Sequence, residues 1–479
     1  MRLLRRLLRL SLCLVLGAAL GGILLYFYQV LSGPPLQPWH RWQSPAEYHA
    51  AAGRIGNLDD YRRLEERLFS QLATLGASLR PPASSRYAGG NPLTAPVDGN
   101  DWNRTVELRP DGEPRGAVLL LHGMSDAPYS LRALALDYRA RGFHVLALRL
   151  PGHGTVPAGL LRVTWEEMAT VVRLAVNSLR PSLTRGRPLF ITGYSNGAAL
   201  ALHYTLAALQ QEELPRPAGL VLISPAIAVT PAARYSRLLL WAGALPGLEQ
   251  LAWLSLQPEY DPYKYNSFPV NAGYQVFLLS RAVQEGLRAL ESRGAMADFP
   301  PVLAIQSVVD DTVTAGAVID RLMSHLRSGR DELVLFDINR DAAIIDLFAG
   351  TRLQPIQSLL EGPAGFRRTL LTNRYPDRPE VWALEWTAGS NRSGSRVLGL
   401  EWPRGIYSLS HVALPIPPDD PVYGIGSDDR PSLGRIELRG EQRLLQVPGS
   451  QLMRLRYNPF HDYMKGRIAA FVERLAEGG

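Results

Sequence analysis

An alternation of short apolar runs with helical segments begins near residue 104 and constrains the fold more than any other feature of this sequence. Runs such as AVLLL at 117–121 and HVLAL at 144–148 are each followed by a Gly-containing turn and a segment with helical periodicity. Continuous apolar runs are typical of strands buried on both faces of a parallel sheet, and the repeated strand–helix order predicts helices packed over that sheet. We therefore expect an α/β fold with a mostly parallel sheet.

Two long intervals interrupt this alternation. Residues 231–300 separate two predicted strands by far more than an ordinary crossover, and residues 341–405 are a second long interval, after the last predicted strand. The first interval is rich in Leu, Trp, Tyr and Phe, and the second contains the Gly- and Ser-rich stretch TAGSNRSGS. We interpret both as insertions on one core that spans residues 104–479 and ends in an amphipathic helix.

The first 31 residues differ from the rest of the chain. Residues 10–31 contain no charge over 22 positions, which is enough to cross a bilayer as a helix. Residues 1–9 contain four arginines and no acidic residue, and the positive-inside rule predicts that they stay cytoplasmic. We therefore predict that residues 1–31 are a single-pass anchor in the inner (cytoplasmic) membrane, with the remainder outside the cytoplasm. The alternative is a cleaved signal peptide, which would leave the protein secreted.

Residues 32–103 are predicted to connect this anchor to the core. They begin with the Pro-rich stretch GPPLQPWHRWQSP and end with PPASSRYAGGNPLTAPVDGN, which has the composition of a loop. Between these stretches, residues 58–76 carry apolar side chains at helical spacing, which predicts one helix.

The basic charge of the chain belongs in large part to its N-terminus. The 479 residues carry a formal net charge of +7, and the four N-terminal arginines account for more than half of it. No dense run of Lys and Arg with interleaved aromatic residues follows, so we predict that the chain does not bind nucleic acid. Cys13 is the single cysteine, which excludes a disulfide framework and a cysteine-rich zinc site.

The segment GYSNG at residues 193–197 places Ser195 in the pattern G-x-S-x-G. The pattern alone occurs by chance, but here the apolar run PLFIT enters it and an Ala-rich helical segment leaves it. That context predicts a nucleophile elbow, a sharp strand-to-helix turn that presents a serine hydroxyl above the sheet. The alternative is a Gly-rich turn in another α/β fold.

Attack by Ser195 on a carbonyl would create an oxyanion, which needs backbone N–H donors already in place. The residue after the nucleophile, Asn196, supplies one donor, and the loop after an earlier strand supplies the second. The segment LLLHGMSDAPYS occupies that position, so we predict the Met124 N–H as the second donor. His122 in the same loop precedes Ser195 and is predicted to be structural.

The acid and then the base are expected after the serine in the chain. The segment PVLAIQSVVDDTV ends a late strand with two candidates, Asp310 and Asp311. We predict Asp310 because it comes first after the strand. Asp311 is the alternative, and the carboxylate that is not the acid would cap the following helix.

Three histidines follow the acid. His325 lies on the next predicted helix, too close in sequence to reach back. His411 lies in the Ser-rich loop IYSLSHVALP, where a base could reach across to the serine. His461 lies at the start of the final helix, where a capping or surface role is the ordinary interpretation. We therefore predict His411 as the base, with His461 as the alternative.

These residues predict a two-step acyl transfer that needs neither a metal ion nor another cofactor. His411 would take the proton of Ser195, Asp310 would orient His411, and two backbone N–H groups would bind the oxyanion. Water would then release the acyl group.

Together, the motifs resemble the α/β-hydrolase superfamily, and within it the branch of monoacylglycerol lipases, lysophospholipases and related esterases. The motifs are HGMSDAPYS (122–130), LRLPGHG (148–154), GYSNG (193–197), VVDDTV (308–313) and SHVALP (410–415). The resemblance covers residues 104–330 and 405–475. The resemblance implies Ser195 as the nucleophile, Asp310 as the acid and His411 as the base. It also implies Met124 and Asn196 as the oxyanion donors and a lid formed by residues 231–300.

The sequence departs from the family pattern in three respects. Arg149 stands where an Asp is common before PGHG. Tyr194 and Asn196 flank the serine where His and Met are more typical. The 341–405 segment also lengthens the interval before His411.

An aromatic lid and a membrane anchor favour a hydrophobic or lipid-like carboxylic ester as the substrate. The alternative is that the apolar side chains only pack the 231–300 segment onto the core. A peptidase or amidase of the same fold would share the triad, and an inactive, membrane-anchored binding protein is the alternative outside the enzymes. The sequence thus predicts a membrane-anchored serine hydrolase that cleaves esters.

Overall fold

The computed structural model describes residues 2–53, 55–228, 236–341, 362, 364–375, 377–391, 393–426, 431–436 and 447–477. Its strands are Val106–Leu108 (β1), Ala117–Leu121 (β2), His144–Leu148 (β3), Leu189–Tyr194 (β4), Gly219–Ile223 (β5), Trp253–Ser255 (β6), Phe268–Pro269 (β7), Val302–Ser307 (β8), Glu332–Phe336 (β9), Arg367–Asn373 (β10), Glu380–Trp386 (β11) and Ser393–Glu401 (β12). Its α-helices are Arg2–Leu31 (α1), Pro38–Arg41 (α2), Leu58–Ser78 (α3), Arg132–Ala140 (α4), Trp165–Leu179 (α5), Asn196–Ala208 (α6), Ser236–Gly243 (α7), Val270–Ser292 (α8), Ala315–Arg321 (α9), Gly449–Leu452 (α10) and His461–Glu477 (α11).

Ten strands form one sheet in the order β1-β3-β2-β4-β5-β8-β9-β10-β11-β12. The strands from β3 to β10 in this order are parallel, whereas β1, β11 and β12 each run antiparallel to a neighbour. Every residue of β2, β3, β4, β5, β8 and β9 is buried, because helices cover both faces of the sheet. The predicted α/β fold with a mostly parallel sheet is confirmed.

Two hydrophobic clusters lie on opposite faces of this sheet. Alternate side chains of β2 divide between them, as the two-residue period of a strand requires: Leu119 joins the cluster that contains α5, α6 and α8, and Leu120 joins the cluster that contains α4 and α11. The carboxyl ends of the parallel strands therefore meet at one edge, where loops can assemble a site.

The predicted connector packs onto this core. Its helix, expected over residues 58–76, is observed as Leu58–Ser78, and the Asn57 side chain caps it by accepting the Asp60 N–H at 2.9 Å. Tyr61 on this helix is 1% exposed and lies in the same cluster as β2. Residues 58–78 thus share the hydrophobic core with the sheet.

The 231–300 segment lies between β5 and β8, and its first residues, 231–235, fall outside the described residues. The remainder forms α7, a short antiparallel pair of β6 with β7, and the long helix α8, which packs in the same cluster as α6. Its predicted role as a lid stays a prediction.

The 341–405 segment adds to the sheet, although residues 342–361 fall outside the described residues. β10 pairs in parallel with β9, and β11 and β12 follow as antiparallel neighbours. The two ends of the segment meet, since the Asn339 N–H donates to the Tyr407 carbonyl at 2.8 Å and the Asn339 amide donates to the Ile406 carbonyl at 3.1 Å.

Residues 2–31 form the single helix α1. Among the described residues, no helix is both long enough and apolar enough to cross a membrane. The transmembrane anchor predicted for residues 1–31 therefore finds no support in the structure.

Candidate active site

Ser195 lies at the turn between β4 and α6, in a backbone conformation that few residues adopt. Its φ and ψ are 54° and −115°, a combination that costs free energy unless the surroundings hold it. The last residue of β5 and the loop after it hold this conformation: the Ser195 N–H donates to the Ile223 carbonyl at 2.9 Å, and the Ser195 carbonyl accepts the Ala226 N–H at 3.1 Å. The sharp turn predicted from GYSNG is observed.

The two glycines of this turn are required by close contacts. A Cβ atom on Gly193 would lie 2.5 Å from the Ala198 Cα, and one on Gly197 would lie 2.0 Å from the Leu121 carbonyl oxygen. No side chain fits at such distances, so only glycine lets the start of α6 pack this closely against β4 and β2.

Asp310 and His411 form a direct hydrogen bond. Asp310 follows β8, is 4% exposed, and accepts the Thr312 and Val313 N–H groups on Oδ1 at 2.8 and 3.0 Å. Its Oδ2 lies 2.7 Å from His411 Nδ1. Burial acts to raise the pKa of Asp310, but the hydrogen bond to His411 and the backbone donors outweigh it, so the pKa is lowered. The carboxylate is therefore ionised and holds the Nδ1 proton of His411.

His411 begins a short 3-10 turn, His411–Ala413, and the Ser410 side chain accepts the Ala413 N–H at 3.3 Å. The imidazole lies against the residue before the nucleophile, with 5.1 Å between the ring centroids of His411 and Tyr194. Within the described residues, Ser195 and His411 make no direct hydrogen bond. Such bonds are often long without substrate and tighten when it binds.

The two predicted oxyanion donors lie at the start of α6 and just after β2. These elements touch, because the Gly197 position is packed against the Leu121 and His122 carbonyls. Neither the Met124 N–H nor the Asn196 N–H donates to an acceptor among the described residues. Asn196 also opens a helix, whose N-terminus favours negative charge. The arrangement is suited to an oxyanion, and the roles of both residues stay predictions.

His122 has the surroundings of a structural residue, as the sequence predicts. Its Nε2 accepts the Leu150 N–H at 3.1 Å and its Nδ1 lies 2.9 Å from the Gly123 carbonyl. Burial lowers the pKa of His122 to about 3, so the ring is neutral and ties the loop after β2 to the loop after β3.

The alternative residues lie elsewhere. His461 is 1% exposed, and neither of its ring nitrogens has a hydrogen-bond partner among the described residues. The Pro415 backbone is near enough to raise the pKa of His461, but burial outweighs this effect. His325 Nδ1 lies 2.9 Å from the Glu291 carboxylate. Asp311 is exposed. The structure therefore pairs Asp310 with His411, and with neither of the other two histidines.

Arg149, which departs from the family pattern, is buried in an ionic cluster that the sequence did not reveal. Its guanidinium lies 2.5 Å from Glu47 and 4.0 Å from Glu65, and it donates to the Tyr61 hydroxyl at 3.1 Å and to the His153 carbonyl at 2.7 Å. Glu47 and Glu65 belong to the connector, more than 80 residues away in sequence. No local pattern could have paired them with Arg149.

No group of three or more His, Cys, Asp or Glu side chains is arranged to hold a metal ion in the part of the chain that the structure describes.

Comparison with known proteins relates the chain to hydrolases. Residues 112–338 match the family Hydrolase_4, described as "Serine aminopeptidase, S33". A thermostable monoacylglycerol lipase from Bacillus sp. (strain H-257) is 34% identical over 110 residues, which are 23% of this chain and 40% of that enzyme. Phospholipase YtpA of Bacillus subtilis (strain 168) is 28% identical over 116 residues, 24% of this chain and 42% of that protein. The chain thus spans less than half the length of these two relatives.

The monoacylglycerol lipase of Paleococcus ferrophilus is a similar solved structure. It is 20% identical, with a TM-score of 0.37, and the match covers 53% of this chain and 97% of that one. The family match, which covers slightly less than half of the chain, and the two sequence relatives relate the chain to serine hydrolases with the α/β-hydrolase fold. The mostly parallel, helix-covered sheet agrees with that fold.

Proposed function

We propose that this chain is a serine hydrolase that cleaves carboxylic esters, with Ser195 as nucleophile, His411 as base and Asp310 as the acid. The observation that carries the proposal is the hydrogen bond of 2.7 Å between Asp310 and His411. This hydrogen bond supports the proposal because it fixes the orientation of the His411 ring, which lies 5.1 Å from the ring of Tyr194, the residue before Ser195. The match to a family of serine hydrolases and the similarity to a monoacylglycerol lipase also support the proposal.

Each group then has a defined part in acyl transfer. Asp310 keeps the His411 proton on Nδ1, which leaves Nε2 to accept the proton of the Ser195 hydroxyl. The serine oxygen attacks the ester carbonyl, and the Met124 and Asn196 N–H groups bind the oxyanion. The imidazolium returns its proton to the alcohol that leaves. Water, deprotonated by the same imidazole, then releases the carboxylic acid and restores the serine.

We infer that the ester is hydrophobic or lipid-like. The two sequence relatives are named as a monoacylglycerol lipase and a phospholipase. The 231–300 segment also presents large apolar side chains to solvent: Leu238, Trp241 and Leu254 are 68%, 71% and 55% exposed. Exposed apolar surface of this kind suits contact with acyl chains.

A fluorophosphonate probe and a series of esters test this proposal. We expect the probe to label the wild-type protein and not Ser195→Ala, and we expect activity on aryl esters to rise from acetyl to longer acyl groups. The matching anilides test the peptidase or amidase alternative, which the description of the family match favours. Faster cleavage of anilides, or a sharp preference for acetyl esters, would contradict the proposed substrate class. A folded protein that the probe does not label would indicate an inactive scaffold.

We also propose that residues 1–31 attach the chain to the inner membrane and that the hydrolase domain lies outside the cytoplasm. Support comes from the sequence: four arginines precede a run of 22 residues without a charge. Carbonate extraction of membranes and protease treatment of spheroplasts test this. The full-length chain should stay with the membrane and be cleaved from outside. A shortened protein in the medium would instead indicate a cleaved signal peptide.

A further inference from the structure

A cavity of about 250 Å³ lies where three parts of the chain meet: the connector, the loop after β3, and the part of the 231–300 segment that contains Pro262 and Tyr263. Its walls include Phe69 and Leu72 from α3, Thr155 from the loop, and Pro262 from the 231–300 segment. The backbone joins these segments around the cavity, since the Arg86 N–H donates to the Glu259 carbonyl at 2.8 Å. The cavity is therefore a built feature of the fold.

Arg86 brings a positive charge to this cavity without a matching carboxylate. Its Nη2 donates to the Asn103 side chain at 3.1 Å, while Nη1 is buried without a hydrogen-bond partner. Among the described residues, Arg86 makes no ion pair within 4.0 Å. A guanidinium stays protonated in proteins, and this one lies 5.9 Å and 5.3 Å from the ring centroids of Tyr87 and Tyr265, which attract a cation without carrying a charge that balances it. Among the described residues, no carboxylate lies within ion-pair distance of Arg86.

The carboxylates near Arg86 are already bound by other groups. Asp101, which also lines the cavity, is held by Arg104 at 2.9 Å. Glu259 and Asp261 act on Arg86 from beyond contact distance. Glu259 accepts two backbone N–H groups, and Asp261 pairs with Arg456 at 3.0 Å. None of them neutralises Arg86 directly.

We propose that this cavity binds a carboxylate that carries a short apolar group. A planar guanidinium matches a carboxylate, with two parallel hydrogen bonds. Arg86 is a positive charge in the cavity wall that has no carboxylate in direct contact, and the Asp101 carboxylate in the same wall disfavours a doubly charged anion such as phosphate. Phe69, Leu72 and Pro262 supply apolar walls for the rest of the molecule. The ligand would contact both the connector and the part of the 231–300 segment that contains Pro262 and Tyr263.

Sodium hexanoate is the probe that tests this proposal, with hexanol and inorganic phosphate as comparisons. Binding is measured by thermal unfolding and by calorimetry on full-length Ser195→Ala protein, so the result does not depend on ester hydrolysis. We expect hexanoate at a hundredfold excess over Kd to raise Tm by about 2 °C or more, and we expect hexanol and phosphate to leave Tm unchanged.

Variants then locate the site. We expect Arg86→Gln to weaken hexanoate binding at least about tenfold, because the bidentate charged pair is lost. Arg281→Gln, on the exposed surface of α8 and paired with Glu285, should bind as before. If Arg86→Gln fails to fold, Thr94→Trp fills the cavity while it keeps the guanidinium, and it should also abolish binding.

Several outcomes would overturn the proposal. They are no Tm shift with hexanoate, a shift that survives both Arg86→Gln and Thr94→Trp, and an equal shift with phosphate. A failure of the hydrolase proposal would appear separately, as the absence of probe labelling at Ser195.

Discussion

Two polar regions of the molecule use their hydrogen-bonding groups in opposite ways. At the nucleophile corner, formed by Ser195, Asn196 and Met124 with the Asp310–His411 pair, the turn is strained and two backbone N–H groups have no partner among the described residues. At the connector junction, where Glu47, Tyr61 and Glu65 surround Arg149, the guanidinium is bound on several sides. A buried polar group without a partner costs more stability than one that is paired. In the hydrolase proposed above, the unpaired groups of the corner would bind the substrate, whereas the paired groups of the junction hold the connector to the core.

The largest effect is expected at the corner. Ser195→Ala should lower kcat on an aryl ester by about 10⁴-fold or more and change the free energy of unfolding by less than about 0.5 kcal/mol, because the hydroxyl makes no structural hydrogen bond among the described residues. Steady-state kinetics and urea unfolding measure both. Ser178→Ala on the exposed face of α5 is the control. Activity that persists in Ser195→Ala would refute the nucleophile assignment.

Asp310→Asn should lower kcat by about 10⁴-fold, because an amide at this position no longer fixes the proton on His411 Nδ1. Asp311→Asn is the matched control, and kcat should stay within a fewfold of the wild type. The reverse result in this pair would move the acid to Asp311.

Arg149→Met should act on stability instead. It leaves the Glu47 and Glu65 carboxylates buried without their cation, and breaking a buried pair in this way costs about 3–5 kcal/mol. Urea unfolding measures the loss, and Arg281→Met on the exposed surface of α8 should change little. If Arg149→Met is as stable as the wild type, the junction does not hold the connector to the core.

Glu259 is expected to make the free energy of unfolding depend on pH. Burial raises the pKa of Glu259 to about 7, against the Asn266 and Ser267 N–H groups, which lower it. Because this pKa lies above the ordinary value of 4.5, the folded chain binds more protons than the unfolded chain between about pH 4.5 and 7. The free energy of unfolding should therefore fall as the pH rises through this window. Glu259→Gln should remove that part of the slope in urea unfolding at pH 5, 6 and 8. Equal slopes in both proteins would contradict the shift.

The smallest effect is expected at His461. Its buried imidazole has no hydrogen-bond partner among the described residues, and burial lowers its pKa to about 4. Replacement by Phe removes unsatisfied polar atoms, so the free energy of unfolding should stay the same or rise by about 1 kcal/mol, with ester hydrolysis retained. A tenfold or larger loss of kcat in well-folded His461→Phe would indicate that His461, and not His411, is the base.

Local signals explain which parts of this molecule sequence reasoning could predict. Ser195 and Asp310 each follow a buried apolar strand, so their places at the edge of the sheet were readable from a few neighbouring residues. Strands β10–β12 were not predicted. EVWALEW at β11 has the alternation of a strand, but Gly- and Ser-rich residues follow it, and the parallel pairing of β10 with β9 joins positions about 35 residues apart.

Contacts between distant segments could not be predicted from one sequence. Glu47 and Arg149 are separated by 102 residues, and each taken alone has the appearance of a solvated surface charge. The same holds for Arg86, whose neighbours Tyr265 and Pro262 come from another segment of the chain. The partners of these charged side chains are identified only when the fold brings the distant segments together.

The hydrogen bond between Asn339 and Tyr407 joins the two ends of the segment that carries β10, β11 and β12. The Asn339 N–H and the Tyr407 carbonyl oxygen lie 2.8 Å apart, so the chain leaves and re-enters the core at nearly the same place. His411 therefore lies 101 residues beyond Asp310 in the sequence and still forms a hydrogen bond with it. Residues 340–405 add three strands to one edge of the sheet without separating this pair.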